Sequence, residues 1–237
     1  TATTATASHP YAVAGTYDVT LTVTDDDGAT HAVTQQVTVA ALPTTNGLGA
    51  DAFERTAAGG WGSADQGGAW TLAGGNSRFN VGSGAGNMVA NTANTLAADL
   101  TGVSTTNVRV DAEFSLDKIA EAQYVVLAGR KIGADQYILR MRVEADGSAR
   151  LYVIRNSTQI GANYVVPGIT LTAGEKYRVS FEVTGTSPTT LKGKLWKAAD
   201  VEPAAWQRER SDSTAALQAA GTVGVSTFLP SARAAVA

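Results

Sequence analysis

Asp111 and Glu113 are acidic side chains two positions apart. On an extended strand that spacing puts them on one face about 6–7 Å from each other, a separation that suits two-carboxylate hydrolysis. Neither has a third acid or an aromatic sugar platform beside it in the sequence, so a solvated strand face is the preferred reading. A second set is basic and amphipathic: Arg130, Arg140 and Arg142, with Gln136 and Tyr137. The even spacing of Gln136, Arg140 and Arg142 gives them a common strand face, where guanidinium forks can grip sugar hydroxyls, uronates or a partner's carboxylate. The competing reading is cross-strand ion pairing with Glu113, Glu144 and Glu182, each pair stabilising by about 0.2–1 kcal/mol. Aromatic rings supply a third possibility, because a flat face stacks on sugar at little entropic cost. Trp61, between Gly60 and Gly62, is the tryptophan singled out for that role, although so large a ring is more often interior.

Calcium is the one cofactor the residues suggest. It takes six to eight oxygens gathered from several loops, and Asp51 and Asp65, which flank the start of a glycine-rich segment, are the candidate ligands. Asp25, Asp26 and Asp27 form a denser acidic cluster, but followed by Gly28 they read more economically as a turn. The chain has no cysteine and two histidines, His9 and His31. Thiolate nucleophiles, disulfides and zinc-thiolate sites are therefore excluded, and no Ser-His-Asp or histidine-metal arrangement can be assembled. No catalysis is expected.

The elements that must carry these groups are strands. Val19, Leu21 and Val23 alternate with Thr20, Thr22 and Thr24, the period-two pattern of a half-buried strand, and Asp27-Gly28 supplies the hairpin turn to a second strand ending at Val39. Further on, Val108, Val110, Ala112, Phe114 and Leu116 alternate with Asp111, Glu113 and Ser115. Tyr177, Val179, Phe181 and Val183 do the same against Arg178, Ser180 and Glu182. Strands are expected over 69–72, 78–81, 87–90, 108–116, 123–131, 137–144, 149–155, 176–184, 191–198 and 222–227, with a helical turn near 213–220 and a hairpin at Asp146-Gly147. Between the two regions, 41–50 reads as a linker, with Pro43, Gly47 and Gly49. The expected organisation is a first segment over 1–40, the linker, and a β-sandwich over 51–237. The fold class is all-β.

With 237 residues, 16% of them charged, and a net charge of −3, the chain has no field able to gather phosphates, and its basic residues are scattered. Nucleic acid is not an expected partner. No run of about twenty apolar residues is present, so no membrane insertion is expected. The first seven residues lack the basic and apolar regions of a signal peptide, and the expectation is an excerpt of a longer chain.

The pattern His9-Pro10-Tyr11, Gly15-Thr16-Tyr17 and Val19 to Asp25 resembles the C-terminal half of a PKD (polycystic kidney disease) repeat, an immunoglobulin-like spacer or adhesion unit of extracellular proteins. Residues 51–229 resemble the concanavalin A/laminin G-like jelly-roll modules of secreted actinobacterial glycan-active proteins. That likeness is carried by Asp51-Ala-Phe-Glu-Arg-Thr with Gly59-Gly-Trp-Gly-Ser-Ala-Asp65, by Gly129-Arg-Lys with Tyr137, and by Lys194-Leu-Trp-Lys-Ala-Ala-Asp200 with Trp206-Gln207. Together they imply a partial immunoglobulin-like segment plus a jelly-roll sandwich, secreted or at a bacterial cell surface. The function implied is a non-catalytic module binding polysaccharide or cell-surface glycan, with the PKD-like part as spacer. The alternative is an adhesin, fibre or tail component that pairs with other chains by β-strand complementation; a glycoside hydrolase ranks below both.

Overall fold

The computed structural model describes residues 15–39, 47–90, 93, 95–120 and 122–230. The chain divides into two compact units, Thr1–Gly47 and Leu48–Ala237. His9 and most of the expected linker, 41–46, lie outside the described residues. Ala50 already belongs to the second unit, where it exchanges backbone hydrogen bonds of 3.0 Å with Gln66.

In the first unit β1 (Gly15–Thr24) and β2 (Thr30–Val39) form an antiparallel hairpin. Asp25 closes the turn: its Oδ1 accepts from the Ala29 N–H at 2.7 Å, and Gly28 takes the positive φ of 85° that a side chain would oppose. The acidic triplet is thus a turn. Alternation sorts Val19, Leu21, Val23 and Val33 onto one face, but that face is not half-buried as expected. Leu21 is 65% exposed, because among the described residues of this unit no second layer lies over a two-stranded sheet.

The second unit is a β-sandwich. Its strands are β3 (Ala57–Ala58), β4 (Trp70–Ala73), β5 (Phe79–Gly82), β6 (Ala85–Met88), β7 (Thr95–Thr105), β8 (Val108–Phe114), β9 (Gln123–Ile132) and β10 (Asp135–Val143). They continue as β11 (Ser148–Arg155), β12 (Thr158–Gln159), β13 (Tyr164–Thr170), β14 (Tyr177–Thr184), β15 (Thr189–Lys197), β16 (Arg208–Asp212) and β17 (Gly221–Phe228). The large sheet runs β12-β11-β10-β9-β17-β7-β4, with β13 also paired to β11. A four-stranded sheet, β16-β15-β14-β8, and a three-stranded one, β3-β5-β6, complete the unit. The Asp146-Gly147 hairpin forms as its residues require, with Gly147 at φ 80° and its N–H donating to the Glu144 carbonyl. The expected helical turn is a single 3-10 turn, Ala215–Leu217.

Side-chain alternation builds the core. Leu127, Tyr137, Leu139, Met141, Leu151 and Val153 point inward from β9, β10 and β11 and meet Val179, Phe181, Val183, Leu191 and Leu195 from β14 and β15. At the β7 end, Leu96 and Ala98 meet Trp61, Phe79 and Val81. Each fully buried aliphatic or aromatic side chain contributes about 1.5–3 kcal/mol before entropy is subtracted. The opposite face of the large sheet carries Val126, Ala128, Ile138 and Ile154, flanked by Tyr124 and Tyr152. Two apolar clusters on the two faces of one sheet leave a recessed outer surface.

Candidate functional site

That outer surface is the floor of a groove of about 590 Å³ crossing β7, β17, β9 and β10, a size in the range of ligand sites. The floor is made of small or recessed side chains: Ala97, Ala128, Gly224, Ser226, Val126 and Ile138. Gly224 keeps it open, since a Cβ there would sit 2.3 Å from Asp99 Oδ1. At one end stand Tyr124 and Phe228, ring centroids 5.8 Å apart, with the Arg140 guanidinium 5.2 Å above the Tyr124 ring. The other end is polar. Lys131 Nζ pairs with Asp99 Oδ2, and the Gln136 backbone N–H donates to Asn156 Oδ1 at 2.8 Å, fixing the Asn156 amide that donates in turn to Asp135 Oδ1 at 2.7 Å.

Of the six residues expected to contact a ligand, Gln136 and Arg140 line this groove. Arg142 shares their strand face but is drawn to Glu144 at 3.2 Å, the ion-pair alternative. Arg130 and Tyr137 are corrections. Strict alternation would leave Arg130 on the outer face with Val126 and Ala128, but the pairing of β10 slips between Tyr137 and Ile138, making Gly129 an extra residue in β9. This β-bulge turns Arg130 inward and delivers Lys131 to the groove. Arg130 is 0% exposed, donating to Thr189 Oγ1 and the Leu217 carbonyl, each at 2.8 Å, to the Gly185 carbonyl at 3.0 Å, and to the Thr106 carbonyl. Tyr137, also 0% exposed, donates from its hydroxyl to Asp212 Oδ1 at 2.6 Å. Trp61 is the third correction. At 3% exposure it packs edge-on against Phe53, Trp70 and Phe79 and donates from Nε1 to the Asn87 carbonyl at 3.1 Å.

Of the two candidate calcium ligands, Asp51 has its oxygens committed to protein donors. Asp51 Oδ1 accepts from Arg55 Nη1 at 2.7 Å and from the Phe53 N–H at 2.9 Å, while Oδ2 accepts from Arg55 Nη2 at 2.8 Å and Trp70 Nε1 at 2.7 Å. All four lone-pair directions of a carboxylate are then used. Asp65 accepts from the Ala52 N–H at 2.7 Å, and the described residues hold no group of three potential metal ligands. Asp111 and Glu113 lie on the outer face of the four-stranded sheet, away from the groove. Asp111 binds Arg109 and the Ser180 hydroxyl, and Glu113 binds Lys176 and Arg178.

Two part-buried carboxylates, Asp51 and Asp212, are held below their ordinary pKa. Burial, the largest influence, pushes the Asp51 carboxyl up, yet bonds from Arg55, Trp70 and Phe53 together hold it below its ordinary 3.8. For Asp212 burial likewise pushes up, and Tyr137, Thr214 and Arg155 outweigh it. A carboxylate whose folded pKa is depressed contributes stability above its unfolded pKa and loses it as pH falls through the folded value. We therefore expect the thermal midpoint of the second unit to fall progressively below about pH 4. Asp212→Asn should flatten that acid limb in a pH series followed by circular dichroism; an unchanged slope would remove Asp212 from the account.

Residues 1–41 match the PKD domain family. PKD domains are typically extracellular, and among the described residues no helix is long and apolar enough to cross a membrane. The match lies within the first unit; no family match supports the concanavalin A/laminin G part of the resemblance. No curated protein matches the chain in sequence. Among solved structures, scytalido-glutamic peptidase with a transition-state analogue inhibitor is similar at 11% identity and a TM-score of 0.32, over 52% of this chain and 59% of the peptidase. The expectation of a non-enzyme is corrected by that finding: the similar structure is an enzyme, and so slight a likeness establishes neither catalysis nor its absence.

Proposed function

We propose that the second unit is a concanavalin A/laminin G-like module that binds a polysaccharide or cell-surface glycan along its groove. In this reading the PKD unit is a spacer on a secreted or surface-attached bacterial protein. The observation that carries the proposal is the Tyr124–Phe228 ring pair standing at the end of a floor of alanine, glycine and serine. Sugar rings have apolar faces and hydroxyl edges. The tyrosine and phenylalanine rings supply stacking area for the faces, while Ser226, Gln136, Asn156 and the Asp99–Lys131 pair supply donors and acceptors for the edges. An open groove also suits a polymer better than a small metabolite, since a chain can run through it and gain from repeated weak contacts.

Tyr124→Ala and Phe228→Ala are each expected to weaken retention on a bound polysaccharide by about tenfold, measured by affinity electrophoresis and calorimetry, with thermal melts to verify folding. Binding that survives both substitutions unchanged would move the site elsewhere. A folded wild-type protein retained by no polysaccharide in a broad panel would remove the proposal.

A further inference from the structure

Among the described residues the charges in the groove do not balance. Lys131 and Asp99 neutralise one another, but Arg140 makes no ion pair among the described residues, and its guanidinium donates to none of them. It is parked over the Tyr124 ring instead. On the same strand face Arg142 has Glu144, and on the neighbouring strand Arg150 has the same carboxylate at 2.8 Å. Among the described residues Arg140 is the cation on this face without a counter-ion, and it stands over an apolar floor in which Val126 is 8% and Ile138 5% exposed.

We propose that Arg140 is an anion subsite and that the glycan it selects is acidic, bearing uronate carboxylates. This inference rests on the glycan reading above. Stacking on Tyr124 orients the guanidinium before a ligand arrives, so less freedom is lost on binding. The edge of the planar fork matches a carboxylate bidentately. Charge attraction is also stronger over a recessed, weakly hydrated floor than in open solvent. The groove's other cation, Lys131, is already held by Asp99. The site therefore offers one planar fork, which the two oxygens of a single carboxylate fill.

The test is calorimetry and affinity electrophoresis of the intact chain against polygalacturonate, alginate, dextran sulfate and neutral laminarin. Arg140→Gln and Arg140→Lys are compared with Arg178→Gln on the opposite sheet. Uronate polymers are expected to bind about tenfold or more tighter than laminarin, an advantage that shrinks with added salt. Arg140→Gln should abolish it, Arg140→Lys should keep part of it, and Arg178→Gln should leave it intact. Laminarin binding as tightly as the uronates, with Arg140→Gln harmless, overturns the acidic inference and leaves the glycan groove standing. Dextran sulfate binding as tightly as the uronates overturns the carboxylate assignment. Binding by no polymer removes the groove reading and this inference with it.

Discussion

Arg130→Ala is expected to destabilise the second unit by about 3–5 kcal/mol, a drop of roughly 10 °C or more in thermal midpoint for a unit of this size. The guanidinium ties together three segments far apart in sequence: the Thr106 turn, the Gly185–Thr189 stretch that leads into β15, and Leu217 in the 3-10 turn. Truncation leaves three carbonyls and a hydroxyl short of a donor, and an unmet buried acceptor costs about 1–3 kcal/mol. It also opens a cavity. One effect opposes this. Burial pulls the Arg130 pKa below its ordinary value, and among the described residues the charge has no carboxylate partner, so removing it relieves a desolvation cost. We expect the lost bonds to win because they are several and charge-assisted. Arg130→Met, which keeps volume and removes the charge, should fall between Ala and wild type. Urea unfolding followed by tryptophan fluorescence measures both; a Met variant as stable as wild type would mean that the relieved desolvation offsets all four bonds.

The second large effect is expected at Trp61, where Trp61→Ala should cost about 3–5 kcal/mol. The indole is the centre of an aromatic cluster whose neighbours lie 5.2 Å (Phe53), 5.2 Å (Trp70) and 5.6 Å (Phe79) from its centroid. Its carbonyl accepts from Arg55 Nε at 2.9 Å, which joins the ring cluster to the Asp51–Arg55 pair. The three-stranded sheet meets the large one through these rings, so the loss should loosen β5 and β6 before the rest. Hydrogen exchange should show this as amides of Phe79–Met88 losing protection ahead of those in β9 and β10. Trp61→Phe should recover more than half of the loss. Uniform loss across both regions would mean that the cluster is not a separate cooperative element.

Much of the strand pattern was legible because alternation is a local property. β8, β10, β11, β14 and β15 carry apolar residues at every second position, and each forms within a residue or two of the expected span. Five strands were not expected: the two-residue β3 and β12, and the longer β7, β13 and β16. β7 holds Asp99 and Gly102, β13 holds Pro167 and Gly168, and β16 reads Arg-Glu-Arg-Ser-Asp. In β7 the alternation of Leu96, Ala98 and Leu100 is diluted by Asp99 and Gly102, while β13 and β16 carry weaker patterns and are held as strands by the hydrogen-bonding partners their neighbours supply. The groove was half legible. Gln136 and Arg140 follow from even spacing on β10, whereas Lys131, Asp99, Tyr124 and Phe228 come from three other strands that only the sheet order β10-β9-β17-β7 brings side by side.

By themselves, the residue types and their period of two determined an all-β chain, the turns at Gly28 and Gly147, and which side of β8, β10, β11, β14 and β15 faces the core. Tertiary structure decided the rest. It decided that Arg130 turns inward through an extra residue at Gly129, that Trp61 is a keystone and no platform, and that Asp51 spends its oxygens on Arg55, Phe53 and Trp70. The reason is physical: alternation assigns a face within one strand, but the fate of a polar or aromatic side chain depends on donors and rings delivered by segments dozens of residues away.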